Sequence, residues 1–167
     1  MFAAPSSILI TGASSGIGAA LAEHYATTGV TLFLGGRNRE RLDTVADACR
    51  GHGAEVLTWV GDITDSEGVR DWIVASDEHC PLNLVIANAG VALGSRDVAG
   101  LHQAAVDSFA ANVGGVFNTV HPALERMALR RPYPVENAQV AIMSSVMGYA
   151  GMARSPAYSS SKAAAKH

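Results

Sequence analysis

The sequence predicts an α/β protein built on a parallel β-sheet, and two patterns along the chain indicate this fold. Short apolar runs alternate with longer segments of helical periodicity, in the order βαβαβαβαβα. The runs are almost continuously apolar, as strands buried on both faces require. Strands joined by crossover helices are parallel, so we expect a sheet covered by helices on both sides. The length of 167 residues predicts one domain over residues 1–167.

The individual elements follow from these patterns in chain order. Strands are predicted at residues 7–11, 30–34, 54–60, 84–87 and 139–144. Helices are predicted at residues 16–28, 38–50 and 101–129, with a further helix that runs from 65 or 66 to about 77. A last helix begins near Pro156. Asn38 is the candidate cap of the second helix, and Asp65 or Ser66 that of the third.

Composition argues against several classes of partner. Lysine and arginine number 12 against 15 acidic residues, and this net charge of −3 predicts no nucleic-acid partner. No apolar stretch approaches the roughly 18 residues that a membrane span needs, so no membrane partner is predicted. The six histidines lack ligand spacing, and no metal site is predicted. Cys49 and Cys80 form no C-x-x-C pair, so we expect both thiols to be reduced. The N-terminus lacks the charged region of a signal peptide, so we expect a cytoplasmic protein.

A glycine-rich loop, TGASSGIG at 11–18, links the first predicted strand to the first helix. Glycines at 12 and 16 let the backbone turn tightly and approach a pyrophosphate, whose charge the N–H groups at the helix start can hold. Gly18 lets the helix pack closely on the strands. The spacing is a variant of the dinucleotide fingerprint and indicates nucleotide binding, although a tight turn favours glycine in any case.

The same loop satisfies G-x-S-x-G, the pattern of a hydrolase nucleophile elbow with Ser14 as the nucleophile. Such an elbow needs sheet strands and an oxyanion-hole loop before it, and only six residues precede the first predicted strand. The hydrolase is therefore the less favoured alternative.

The second predicted strand ends in Gly35-Gly36-Arg37. NAD-binding proteins place an acidic residue at this point to bond the adenosine ribose, and no carboxylate stands here. A guanidinium can grip a 2′-phosphate, and two glycines leave room for it. We predict NADP(H) as the preferred cofactor over NAD(H), the alternative being that Arg37 is simply solvated.

Three residues near the end of the chain form a candidate catalytic group. Tyr158 and Lys162 lie one turn apart on the last helix, and an ammonium this close favours the phenolate form of a tyrosine. Ser145 follows the fifth strand, where open α/β sheets bind their ligands. Ser145 and Tyr158 could therefore donate to one carbonyl oxygen.

Five signatures now stand in order: TGASSGIG at 11–18, GDIT at 61–64, NAG at 88–90, the Asn112 of NVGG, and Ser145 with YSSSK at 158–162. Together they resemble the short-chain dehydrogenase/reductase family over essentially the whole chain. The resemblance implies a Rossmann-like doubly wound sheet in strand order 3-2-1-4-5. It also implies NAD(P)(H)-dependent hydride transfer with a small-molecule carbonyl or secondary alcohol.

The resemblance further implies a role for each matching residue. Tyr158 would be the general acid/base, Ser145 would polarise the carbonyl, and Lys162 would support Tyr158 and bond the nicotinamide ribose. Asn112 would hold a water in a proton relay, unless it is a surface residue, and Asp62 would contact the adenine, unless it only caps a turn. The implied cofactor contacts are Gly12, Ser14, Ser15, Gly16, Ile17, Gly18, Arg37, Asp62, Ile63, Asn88, Ala89, Gly90, Tyr158 and Lys162. Substrate would face Val146, Met147, Met152 and Ser155.

Members of that family are longer, and this sequence ends five residues after Lys162. We expect the family's C-terminal strands to be missing and the fifth strand to form a sheet edge. The parent enzyme would be a homo-oligomer. We also expect the last helix to fray, and the 167 residues to bind nucleotide weakly and to catalyse poorly or not at all. The alternative function is a non-catalytic nucleotide-binding fragment or a degenerate homologue.

Overall fold

The computed structural model describes residues 4–93, 98–130, 138–151 and 155–166. Its sheet has five strands in the order β3-β2-β1-β4-β5, and every neighbouring pair is parallel. The strands are β1 (Ser7–Thr11), β2 (Thr31–Gly36), β3 (Glu55–Val60), β4 (Leu84–Ala87) and β5 (Gln139–Ile142). This arrangement confirms the predicted Rossmann-like sheet and its strand order.

The described residues form six α-helices beside the sheet: α1 (Gly16–Tyr25), α2 (Arg39–Gly51), α3 (Ser66–His79), α4 (Val98–Phe109), α5 (Gly115–Leu129) and α6 (Pro156–Ala164). Asn38 and Asp65 cap α2 and α3 as predicted, because their side chains accept hydrogen bonds from the Arg41 and Gly68 amides. The first helix ends three residues earlier than predicted, and β5 ends two residues earlier.

The predicted helix at 101–129 is wrong as a single element. The structure places α4 from Val98, then one π-helical turn at Ala110–Gly114, and only then α5. A π-turn holds one residue more than an α-turn, so it rotates the following helix relative to the preceding one. Asn112 lies in the middle of this turn.

Alternate residues of each strand enter two separate apolar cores. On one side of the sheet, Ile8, Ile10, Leu32 and Leu34 pack with residues of α1 and α2. On the other side, Leu9, Phe33 and Val85 pack with residues of α3 and α5. One face of α2 enters the first of these cores, with Leu42, Val45, Ala46 and Cys49 all buried. Both faces of the central strands are thus covered.

A buried carboxylate links α3 to the end of α5. The Asp77 side chain is 6% exposed. Its Oδ1 accepts a hydrogen bond from the Leu82 amide at 3.0 Å and forms an ion pair with Arg130 Nη2 at 3.1 Å. Its Oδ2 accepts from Arg126 Nε at 3.0 Å. The cluster fixes α3 against α5 and against the segment that leads into β4.

The last helix is packed on several sides. It contacts α4, the π-turn and a short 3₁₀ turn at Val146–Gly148 that follows β5. Among the described strands, β5 pairs with β4 alone. The helix α6 therefore lies at the carboxyl end of β4 and β5, where the sequence predicts the catalytic group.

Candidate nucleotide-binding and catalytic site

A cavity of about 610 Å³ lies at the carboxyl ends of β1, β2, β3 and β4. Its wall includes most of the residues predicted to contact a cofactor, namely Gly12, Ser14, Ser15, Ile17, Arg37, Asp62, Ile63, Asn88, Ala89 and Gly90. Open α/β sheets bind their ligands at this edge. The residues from four separate segments of the sequence thus meet at one place.

The glycine loop between β1 and α1 requires glycine at two points. Gly12 has φ +68°, and a Cβ there would lie 2.8 Å from Ala89 Cα. A Cβ on Gly18 would collide with the Gly12 carbonyl oxygen. The side chain of Ser15, which precedes α1, makes no capping hydrogen bond within the described residues. The start of α1 therefore presents its N–H groups to the cavity side without a side-chain partner from Ser15.

Asn88 fastens the end of β4 to this loop. Its Nδ2 donates to the Thr11 carbonyl at 3.0 Å, and its backbone amide donates to Thr11 Oγ1 at 3.0 Å. The Ala89 amide donates to the same hydroxyl at 3.0 Å. The Asn88 side chain therefore lines the cavity mainly as a brace between two loops.

Two opposite charges stand at the far end of the cavity. Arg37 Nη1 lies 3.5 Å from Asp62 Oδ2, with the Arg37 side chain 67% exposed. Asp62 Oδ1 accepts from the Thr64 amide and hydroxyl at 2.9 and 2.8 Å. The Thr64 amide, with smaller help from Arg37, holds the pKa of Asp62 below its usual value, against an opposing effect of burial. Asp62 thus caps a turn and lines the cavity at the same time.

Stacked tryptophans form part of the same wall. Trp59 on β3 and Trp72 on α3 have ring centroids 4.9 Å apart and planes inclined by 8°. A Cβ on Gly35 would lie 2.5 Å from the Trp72 ring. Gly35 is therefore needed to admit Trp72, which is a different reason from the room for a phosphate that the sequence suggests.

Lys162 is almost fully buried at the junction of β4, β5 and α6. Lys162 is 4% exposed, and its Nζ donates a hydrogen bond to the Met143 carbonyl at 2.8 Å. A Cβ on Gly90 would lie 3.2 Å from the same Nζ, so the ammonium sits just behind the cavity wall. Burial lowers the pKa of the Lys162 ammonium.

The two adjacent serines after β5 have different contacts. Ser144 Oγ donates to the Lys162 carbonyl at 3.1 Å and so ties β5 to α6. Ser145 Oγ accepts from the Met147 amide at 3.2 Å and caps the 3₁₀ turn. Because an acceptor hydroxyl keeps its hydrogen, Ser145 retains a donor. Tyr158, on the α6 helix that packs against this turn, is half-buried.

Asn112 has no exposed surface, which excludes its interpretation as a surface residue. Its Oδ1 accepts from the Val91 amide at 2.7 Å, and its Nδ2 donates to the Val91 carbonyl at 2.8 Å. Nδ2 also donates to Ser161 Oγ at 2.9 Å. The side chain therefore joins the segment after β4 to α6.

Comparison with known proteins identifies the family. The family described as short chain dehydrogenase matches residues 6–167. The chain belongs to this family. It is 35% identical over 157 residues to an uncharacterised oxidoreductase of Myxococcus xanthus, and the alignment covers 93% of this chain and 60% of that protein. It is 29% identical to the 3-oxoacyl-[acyl-carrier-protein] reductase FabG of Thermotoga maritima, over 93% of this chain and 61% of that protein.

Solved structures agree with this assignment to the short chain dehydrogenases. A 3-ketoacyl-ACP reductase from Sinorhizobium meliloti superposes with a TM-score of 0.82 at 30% identity, over 94% of this chain and 61% of that chain. A 3-oxoacyl (acyl-carrier-protein) reductase of Agrobacterium tumefaciens, solved with NADP bound, shares the fold with a TM-score of 0.81 at 24% identity, over 95% of this chain and 59% of that chain. The chain thus spans about 60% of the length of these relatives.

The structure brings the predicted site residues together in two adjoining groups. The cavity wall holds the cofactor group, apart from Gly16, Gly18, Tyr158 and Lys162, while Ser145, Asn112, Tyr158 and Lys162 lie beside it around α6. Met152, expected to face substrate, lies outside the described residues. No hydrogen bond between described residues joins Ser14 to a histidine, and the family assignment replaces the hydrolase alternative.

Some residues of the site were not predicted from the sequence. Arg41, in the first turn of α2, lines the cavity together with Arg37, as do Asn38 and both tryptophans. Because Arg41 follows Arg37 by only four residues, the sequence could have indicated a second cation here. Nothing local could have indicated Trp72 or Ser161, since their partners are distant in sequence.

The described residues contain neither a membrane-spanning helix nor a cluster of metal-ligating side chains. None of the described helices is long and apolar enough to cross a membrane. The described part of the chain contains no group of three or more His, Cys, Asp or Glu side chains that could hold a metal ion. Cys49 and Cys80 are free thiols.

Proposed function

We propose that this protein is an NAD(P)(H)-dependent oxidoreductase that interconverts a carbonyl compound and a secondary alcohol. The observation that carries the proposal is the position of Lys162, which is buried directly behind Gly90 of the cavity wall and shares α6 with Tyr158. A buried ammonium behind the wall of this cavity, one helical turn from a tyrosine, is suited to proton transfer beside a bound cofactor.

The residues of the cavity fit a nicotinamide dinucleotide. The start of α1 and the Gly12 turn would hold the pyrophosphate, and residues 88–90 would line the nicotinamide ribose. Asp62 and Ile63 would contact the adenine. The bound nicotinamide would supply or accept the hydride.

The protein's own part in the reaction is to place and move one proton. In the reductive direction the Tyr158 hydroxyl would donate a proton to the carbonyl oxygen, and in the oxidative direction its phenolate would accept one. Ser145, which keeps its hydroxyl hydrogen, would donate to the same oxygen and hold it in place. The Lys162 ammonium would favour the phenolate form of Tyr158.

We further propose a preference for NADP(H). Arg37, which follows β2, and Arg41, in the first turn of α2, both line the cavity and would face the 2′-phosphate. Arg37 would exchange its contact with Asp62 for the phosphate when the cofactor binds. The chemistry of a bidentate guanidinium supports this assignment.

The substrate class is proposed as a small-molecule carbonyl. Two of the compared proteins that are at least 29% identical to this chain are named as reductases of 3-ketoacyl or 3-oxoacyl groups on an acyl carrier protein. A 3-ketoacyl thioester is therefore the first compound to test, beside simple ketones, aldehydes and secondary alcohols.

Oxidation of NADPH with this panel, followed by absorbance, tests the proposal. We expect carbonyl-dependent oxidation in the unaltered protein and its loss in Ser145→Ala, while Ser160→Ala, an exposed position of α6, retains it. Nucleotide binding by calorimetry without turnover of any compound would contradict the proposal and favour a non-catalytic nucleotide-binding protein.

A further inference from the structure

A second buried polar residue stands beside Asn112 and has no role in the proposed chemistry. Ser161 is fully buried, one position before Lys162 on α6. Burying a hydroxyl is unfavourable unless it is hydrogen-bonded, so its partners indicate why it is there.

The Ser161 hydroxyl is both a hydrogen-bond donor and an acceptor, and its two partners fix which role it plays toward each. Its hydroxyl donates to the Tyr158 carbonyl at 2.8 Å, which uses its single hydrogen. Its oxygen then accepts from Asn112 Nδ2 at 2.9 Å. An alanine could do neither, and a carboxylate could not donate.

The amide of Asn112 is fully engaged in the same chain of bonds. One Nδ2 hydrogen goes to the Val91 carbonyl and the other to Ser161, while Oδ1 accepts from the Val91 amide. Val91 alone fixes the orientation of the amide, so Ser161 receives a donor of fixed direction. The chain of bonds therefore joins the segment after β4, the π-turn and α6.

We propose that Ser161 is a positioning residue whose hydroxyl, through Asn112, anchors the helix that carries Tyr158 and Lys162 to the cavity wall. The proposal rests on the proposed function for its catalytic consequence. The anchor itself is a property of the fold. Since a misplacement of about 1 Å can reduce a rate about 100-fold, loss of the anchor should reduce catalysis more than nucleotide binding.

The first test is hydrogen exchange of the α6 amides in Ser161→Ala, with Ser160→Ala as the matched control on the exposed side of the same helix. We expect exchange in α6 to become about ten-fold faster in Ser161→Ala and to stay unchanged in Ser160→Ala. Unchanged protection in Ser161→Ala would overturn the proposal, whatever the turnover of the unaltered protein.

The second test separates positioning from general stability. We expect kcat for NADPH-dependent carbonyl reduction to fall about 10- to 100-fold in Ser161→Ala, with the Kd for NADPH changed less than about two-fold. Ser161→Ala made in an Asn112→Ala background should cause little further loss, because the two residues act through one bond. Faster exchange with unchanged kcat, or equal losses of kcat and nucleotide affinity, would overturn the proposal.

The exchange and kinetic experiments together distinguish failure of the proposed function from failure of the Ser161 anchor. Absence of turnover in the unaltered protein would contradict the proposed function, and the exchange experiment would still decide on the anchor. Turnover that Ser161→Ala leaves intact would contradict the positioning role alone.

Discussion

At the scale of single residues, the proposed reaction depends on the hydroxyl of Tyr158. Tyr158→Phe keeps the ring on α6 and removes the proton donor. Because general acid–base catalysis contributes about 100- to 10,000-fold, we expect kcat to fall by that factor with the Kd for NADPH unchanged. Steady-state kinetics and calorimetry measure the two quantities. Tyr149→Phe is the control, since Tyr149 is 75% exposed and its ring lies under Lys166.

Gly90 lies against the buried side chains of Asn112 and Lys162, which leaves no room for a larger residue. A Cβ there would meet Asn112 Oδ1 at 2.9 Å and Lys162 Nζ at 3.2 Å, and both atoms are held by hydrogen bonds. We expect Gly90→Ala to lower the free energy of unfolding by about 1–3 kcal/mol, measured by urea denaturation.

Gly114→Ala is the matched control for that experiment. Gly114 has helical backbone angles, φ −55° and ψ −47°, and a Cβ there would meet nothing within 4 Å. Alanine should therefore leave stability unchanged or raise it by up to about 1 kcal/mol. A similar loss in both variants would show that the contacts of Gly90 are not the cause.

Burial of Lys162 predicts a dependence of stability on alkaline pH. Because burial lowers the pKa of Lys162 in the folded protein, the unfolded chain holds more protons between that pKa and the ordinary one. Stability contributed by this group therefore rises with pH across that interval. Urea denaturation gives the free energy of unfolding of the unaltered protein and of Lys162→Met at each pH. As pH rises across this interval, the free energy of unfolding should increase more in the unaltered protein than in the variant. A constant difference would contradict the prediction.

Most residues of the site could be named from the sequence, but their partners could not. The glycine loop, Arg37, Asp62 and residues 88–90 meet at one edge because parallel strands bring their carboxyl ends together, and this follows from the order of elements. The full burial of Asn112 depends on Ser161, 49 residues away, and the need for Gly35 depends on Trp72. Long-range side-chain contacts of this kind leave no local pattern.

At the scale of elements, the contact between α3 and α5 depends on the Asp77 cluster. Asp77→Ala would leave Arg126 and Arg130 without their buried counter-charge. Loss of one partner of a buried ion pair costs about 3–5 kcal/mol, and we expect the lower end because both arginines are about a quarter exposed. Thermal unfolding should show a clear decrease in Tm. Asp47→Ala, which removes an exposed carboxylate paired with Arg50, should leave Tm nearly unchanged.

Element prediction succeeded where periodicity and caps are local, as in β1, β4 and the starts of α2 and α3. It failed at the break between α4 and α5, because the π-turn consists of residues that also fit an α-helix. One additional residue in a turn changes the direction of the following face, and the glycines at that point, Gly114 and Gly115, do not by themselves distinguish a π-turn from a continued α-helix. The π-turn is nevertheless what brings Asn112 to face Val91 and α6.

At the scale of the whole molecule, the preference between NADP(H) and NAD(H) tests the proposed placement of the cofactor in the cavity. Arg37→Ala removes a guanidinium at the end of β2. We expect NADP(H) to bind more tightly than NAD(H) in the unaltered protein, and the variant to lose most of a preference of about 10- to 100-fold. Calorimetric titration with both cofactors measures this.

Arg39→Ala provides the control for charge alone, since Arg39 is exposed on the first turn of α2 and is not part of the cavity wall. It should leave the preference intact. Equal affinities for the two cofactors in the unaltered protein would contradict the assignment of Arg37.

The stacked tryptophans have a consequence for spectroscopy. Trp59 and Trp72 are the only two tryptophans in the sequence, and both line the cavity. The indole emission of this protein therefore originates entirely beside the proposed adenosine end of the site. A ligand that enters there changes the polarity around both rings at once, whereas an event elsewhere leaves them untouched. Fluorescence of the unlabelled protein should thus give the occupancy of the cavity directly, and Trp59→Phe should reduce the signal without removing the cavity.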